Sequence, residues 1–304
     1  MLNLAIRIAL LAGFSAAAHA AFLFADVEGS AQLNQYSATG TFLHSGSISF
    51  PEGLAVSPSG NIFVGNGATF DIEEFNGQTD TFMTTFESGA PNPIALTFGP
   101  DGNLYAAELE GGVTMVAEYN GTTGAFVKTL VSLGEAGLGE GDDLKFGPNG
   151  NLFIADNTNS RVAEYNGTTG AFIGAFVAQN SGGMSNPNRI LFQSNGDLLV
   201  SAGGENAVYQ YDSSGNFVKI FAETGEAFGL ASDAAGNVYV STGGFGTIRE
   251  YNSSGTFISN FASGLNDVLD ITVASTPEPS TFALIGFALV TILLARKQLR
   301  NHRL

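Results

Sequence analysis

Between residues 21 and 275 short apolar runs alternate with clusters of Gly, Asn, Asp, Ser and Thr, the pattern of many brief strands joined by tight turns. The cleanest stretch runs from Gly147 to Val177. It has β-type runs on both sides of a Pro148-Asn149-Gly150 turn, a third run ending at Tyr165, an Asn166-Gly167 turn and a Phe-rich last run. The same turn returns at Gly60, Gly102, Gly196 and Gly236, at a mean spacing of about 44 residues. That period suits one four-stranded propeller blade. The third run is more regular still: an aliphatic residue, a Glu or Gln two positions on, then an aromatic. It reads Leu33-Gln35-Tyr36, Ile72-Glu74-Phe75, Val116-Glu118-Tyr119, Val162-Glu164-Tyr165, Val208-Gln210-Tyr211 and Ile248-Glu250-Tyr251.

Six third strands against five turn glycines point to a divided blade. Residues 21 to 45 supply only the later strands of a blade, and Asp267 to Val273 only a first strand. Joined, they complete a sixth blade and remove the exposed edge of an open array. The pattern therefore predicts an all-β, six-bladed propeller over residues 21–275, closed by its own C-terminal strand. Forty Gly, 25 Phe, no Cys, no Trp and 13% charged residues agree with short strands and tight turns.

The two ends differ in kind from this array. Residues 1–20 read as a signal peptide: Arg7, an apolar stretch from Ile8 to Phe14, then Ala18-His19-Ala20 as a cleavage site. At the other end Phe282 to Ala295 is apolar and is followed by Arg296, Lys297, Arg300 and Arg303, which predicts a transmembrane helix with its C-terminus inside and the domain outside. Fourteen apolar residues reach only about 21 Å of a hydrocarbon core about 30 Å thick, a marginal span that suits a processed segment.

Pro277-Glu278-Pro279, the apolar helix and the basic tail together resemble the PEP-CTERM sorting signal of exported bacterial proteins. The resemblance assigns residues 276–304 to sorting. It implies an exosortase-type membrane protease as partner, removal of the tail near the motif, an inner-membrane-anchored precursor, and a product at the cell surface or outside it, linked to extracellular polysaccharide or biofilm. A plain single-pass anchor after a Pro-rich linker is the alternative. Within the array, Ala155-Asp156-Asn157-Thr158-Asn159-Ser160-Arg161-Val162 resembles the Ala-Asp-x-x-Asn-x-Arg-Val stretch of the NHL repeat. The other copies lose the Arg. That resemblance implies an NHL-like propeller, a family of binding modules and several enzymes.

The chemistry available is narrow. His44 is the one histidine between the two end signals and sits in a fourth, outer strand, so a histidine triad or zinc cluster is not expected, and the absence of Cys removes thiol chemistry. No catalytic or cofactor-binding residue is assigned. Residues 21–275 carry 27 acidic side chains against six basic ones, a net of −21, which excludes nucleic acid as a partner. Many of these acids recur on the third strand, at a position expected to be solvated.

One constellation remains. Eight residues before each turn glycine, at one mouth of the central channel, stand Glu52, Ile94, Asp142, Asn188 and Phe228, with Asp267 in the closing strand. Glu52, Asp142, Asn188 and Asp267 offer oxygen ligands for a hard cation, Ca²⁺ first, with Asp143 and Asn92 beside them. The arrangement resembles the Glu, Asn, Asp metal site of gluconolactonase-like propellers. Two readings follow: an exported module binding polysaccharide or a surface protein, or a metal-dependent hydrolase at the channel mouth.

Overall fold

The computed structural model describes residues 21–275, and the predicted signal helix, transmembrane helix and Pro277-Glu278-Pro279 motif lie outside them. These residues form six four-stranded antiparallel sheets. The inner strands Pro51–Val56, Pro93–Phe98, Gly141–Phe146, Pro187–Phe192 and Leu230–Ser232 pack in sequence order around one axis. The molecule is an all-β, six-bladed propeller. Blade one is the divided blade, and blades two to six span 51–88, 93–131, 141–177, 187–223 and 230–263. No helix among the described residues is long and apolar enough to cross a membrane.

Closure works as the half-blades predicted, with a shifted boundary. Blade one orders its strands as Ile271–Ser275, Ala21–Val27, Gln32–Tyr36 and Phe42–Ser47. The closing strand therefore starts at Ile271, not at Asp267. Asp267 has φ 59° and leaves extended geometry, while Val268 makes an isolated bridge to Gly243 of blade six. Two backbone bonds, Glu28 N–H to Asp267 O and Asp26 N–H to Asp270 O, both 3.1 Å, tie this irregular stretch to the first strand of the chain. Val268 and Ile271 then bury beside Leu23, Ala231 and Tyr239, joining blades six and one in one apolar cluster.

Each sequence signature has a mechanical role. The turn glycines Gly60, Gly102, Gly150, Gly196 and Gly236 all have φ between 77° and 89°, as a type I turn followed by a left-handed residue requires. In four blades the Glu or Gln of the third strand braces that turn and is not solvated as expected. Asn61, Asn103 and Asn151 each donate from Nδ2 at 2.7 Å to Glu74, Glu118 and Glu164, and Gln210 donates at 2.7 Å to Asp197. Gln35 and Glu118 are buried outright. The aromatic at the end of the third strand packs edge-on against the Phe that opens the outer strand, from Tyr165–Phe172 at 5.4 Å to Tyr211–Phe217 at 6.0 Å.

Asn120, Asn166 and Asn252, which match glycosylation sequons, use Oδ1 to accept backbone N–H groups two and three or four residues on, and so work as turn formers. The same hairpin docks each blade on its predecessor. A Cβ on Gly124, Gly170, Gly215 or Gly255 would fall on the carbonyl oxygen of Phe86, Leu130, Phe176 or Phe221, and one on Gly40 would meet Phe261 across the closing seam.

Candidate functional site

The inner strands bring one side chain per blade to the channel mouth: Glu52, Ile94, Asp142, Asn188, Phe228 and, from the closing segment, Leu269. Together with Glu140 and Arg189 they line a cavity of about 140 Å³. Ligand pockets usually span about 300–1,000 Å³, so this mouth has room for a few waters and not for a sugar lactone or larger substrate. Three of the four expected ligands, Glu52, Asp142 and Asn188, do line it. Asp267 does not. It lies two residues before the true ring position, and its carbonyl serves the Glu28 amide.

The residue that sequence reasoning missed is Arg189. It follows Asn188 on the inner strand of blade five, at the position held by Gly53, Ala95, Asp143 and Gly229 in other blades and by Asp270 in the closing segment. Small neighbours leave room for one long side chain to cross the axis. The residue is 7% exposed. It donates from Nη1 to Asp142 O at 2.6 Å and Asn188 O at 3.3 Å, and from Nη2 to Glu52 O at 3.4 Å on the opposite side of the ring. Its Nε lies 3.4 Å from Asp270 Oδ1. One side chain thus touches blades one, two, four and five.

Around it the carboxylates are committed to backbone. Asp143 accepts from Ile190 N–H at 2.9 Å and from Lys145 Nζ at 2.8 Å. Asp270 accepts from Leu54 N–H at 3.1 Å, and Asp26 accepts from Leu269 N–H at 3.0 Å and Asp270 N–H at 2.5 Å. Burial dominates the protonation of Asp142, Asp26, Asp270 and Glu52. It pushes Asp142 up to about 7 against the attraction of Arg189. It holds Asp26 well above the carboxylate range, with Asp270 adding repulsion, and it raises Asp270 and Glu52, both opposed by Arg189. Burial works against the charge of Arg189, but Asp270, Asp143, Asp142 and Asp26 outweigh it and keep the guanidinium charged.

This arrangement fits a bare Ca²⁺ poorly. A hard cation needs six to eight oxygen ligands at about 2.3–2.6 Å, and here a guanidinium already supplies the positive charge at the axis. Asp142 Oδ2 is taken by Asn157 Nδ2 at 2.8 Å, and the Asn188 amide donates to Ala227 O at 3.1 Å. Among the described residues no group of three or more His, Asp or Glu side chains is disposed to hold a metal ion. His44 lies on the outer strand of blade one, 3.0 Å from Asp80 of blade two, away from the axis.

The NHL-like stretch is likewise a brace. Asp156 accepts from Arg161 Nε at 2.7 Å and from Asn159 Nδ2 at 2.9 Å with both oxygens, while Arg161 Nη2 reaches Ala136 O at 3.3 Å in the preceding loop.

Residues 275–298 match the PEP-CTERM protein-sorting motif. No curated protein matches the chain. Among solved structures, it is similar to a protein of unknown function from Bacteroides caccae (16% identity, 84% of this chain and 99% of that one, TM-score 0.66). It is also similar to a chain of a nidogen/laminin complex (14% identity, 84% and 99%, TM-score 0.71) and to virginiamycin B lyase from Staphylococcus aureus (14% identity, 79% and 83%, TM-score 0.57). At these identities the likeness establishes the propeller fold and nothing of the activity. The motif implies exosortase-dependent export from a membrane-anchored precursor.

Proposed function

We propose that the protein is an exported propeller released from its membrane anchor near Pro277-Glu278-Pro279, which then acts outside the cell as a non-enzymatic binding module for polysaccharide or a surface protein. The single observation that carries the reading is Arg189. A propeller enzyme working at its channel mouth needs an open, solvent-filled axis, whereas here a buried guanidinium bonded to opposite blades fills it. The motif matched at residues 275–298 supports the sorting half of the reading. The NHL-like stretch supports a scaffold role, since its polar residues are spent on one another.

Two measurements test it. Mass spectrometry of protein recovered from the cell exterior is expected to give a product lacking Phe282 to Leu304, and an intact tail on that material would refute the sorting half. A lactone hydrolysis screen of the exported protein with Ca²⁺ or Mn²⁺ is expected to give no turnover, and hydrolysis lost in Asp142→Ala would restore the enzymatic reading.

A further inference from the structure

A second concave site lies far from the axis, at the outer end of the seam where blade six meets blade one. It is a groove of about 500 Å³ whose walls include Asn34, Tyr36, Phe42, Asn260, Phe261 and Ser263. That volume falls within the range of small-ligand sites. No charged side chain lines it, in a domain whose net charge is −21. The aromatic wall is rigid: Tyr36 meets Phe42 at 5.9 Å and Phe261 at 6.3 Å, both edge-on, and Phe42 remains 54% exposed.

Asn34 is the informative residue. It is 6% exposed, and its Nδ2 has one long bond, 3.4 Å to the Tyr36 hydroxyl, while its Oδ1 has no partner. Exchanging the amide nitrogen and oxygen would only move the deficit to the NH₂ group. A buried carboxamide left half-satisfied costs about 1–3 kcal/mol unless a ligand or water completes it. The repeat does not demand it, because the equivalent residues in the other blades are Glu73, Ala117, Ala163, Tyr209 and Arg249. Asn260 is also particular to this seam, since the matching outer-strand positions hold Ser45, Thr85, Thr129, Ala175 and Ile220. Two carboxamides face one seam here and no other.

Resting on the binding-module reading above, we infer that this groove binds a neutral saccharide. The ligand must give hydroxyl donors and acceptors to two amides and a serine, and must present apolar C–H faces to Phe42 and Phe261. It carries no charge, because a cation would find no carboxylate in the lining and an anion would meet the field of the whole domain. Alternating hydroxyl and C–H surface is the chemistry of an uncharged sugar ring.

The test is titration calorimetry of the exported protein with neutral trisaccharides built on glucose, galactose and N-acetylglucosamine, with trigalacturonate as the anionic control. At least one neutral sugar is expected to bind. Phe42→Ala, Asn260→Ala and Asn34→Leu, which removes the unpaired amide, are each expected to weaken it about tenfold or more, and Asn260→Ala, at an exposed position, to leave the melting temperature unchanged. No heat with any neutral sugar, or preference for the anionic one, would overturn the inference. Sugar binding that survives all three variants would overturn this groove while leaving the binding-module reading standing.

Discussion

Blades one and four solve the same problem by opposite means. Blade four is one continuous stretch, and its buried carboxylate, Asp156, takes its cation from Arg161 in the same hairpin, five residues away. Blade one is assembled from both ends of the domain, and its buried carboxylates, Asp26 and Asp270, have no basic residue in their own blade close to them. They share Arg189, which reaches over from blade five. Local pairing lets a blade be braced independently of the ring. Shared pairing ties the divided blade to the ring as a whole, so its integrity is a property of the closed molecule.

Breaking the closure itself is expected to have the largest effect. Truncation after Gly264 removes Val268 and Ile271, each worth about 1.5–3 kcal/mol of burial, together with the closing-strand ladder. For a domain of this size the melting temperature is expected to drop by about 10 °C or more. An unchanged thermal transition would show that the strand contributes nothing.

Next comes the shared cation. Arg189→Met strands several buried carboxylates and is expected to cost about 3–5 kcal/mol at pH 7, measured by urea unfolding, and less at pH 5, below the value of about 7 to which burial pushes Asp142. Arg161→Met on blade four strands only Asp156 and is expected to cost about half as much or less. Equal costs would abolish the distinction between local and shared bracing.

Glycine substitutions sharpen the comparison of seams. Gly40→Ala at the closing seam and Gly170→Ala between blades three and four both put a Cβ onto a backbone carbonyl, whereas Gly102→Ala has φ 80° but open space around it. Gly102→Ala is expected to cost about 1–2 kcal/mol for its backbone conformation alone, and the two seam variants more, read from melting curves.

The smallest effect is that of pH. Burial raises Asp142 and Glu108 to about 7 and Asp80 to about 6. Each folded pKa lies above its unfolded value near 4, so between those values the folded chain binds more protons than the unfolded one. Stability therefore falls as pH rises through about 4 to 7, and the loss is complete above about 7. A melting temperature a few degrees higher at pH 5 than at pH 8, at constant ionic strength, is the expected result. The opposite order would show that these carboxyls are charged and well paired.

The fold was legible because its signals are local and repeated. A turn closed by Gly and an ending of Glu or Gln directly before an aromatic define a blade wherever they occur, and two complementary fragments can be matched by what each lacks. The channel mouth was legible only in part. The spacing to the turn glycines marks Glu52, Asp142 and Asn188, but in the closing strand no turn glycine follows to set the register, and the ring position there is Leu269, two residues beyond Asp267. Arg189 escaped because its meaning lies in the smallness of Gly53, Ala95 and Gly229, which belong to other blades. Its one sequence clue is that it is among only six basic residues in the domain and interrupts an apolar inner strand. The acids of the third strand look like a solubilising face, and only the 2.7 Å bonds to the turn amides reveal them as braces.

The bond from Asp270 N–H to Asp26 spans 244 positions of the chain, and this sets the order of events during secretion. A protein emerging N-terminus first presents strands 21–47 early, yet their inner neighbour is nearly the last part of the domain to cross. Contacts so distant in the chain form late and slowly. Until then three strands wait with an open inner edge, and the last strand to arrive is followed directly by the sorting motif. The strand that completes the ring and the motif matched at residues 275–298 are therefore adjacent in the order of export.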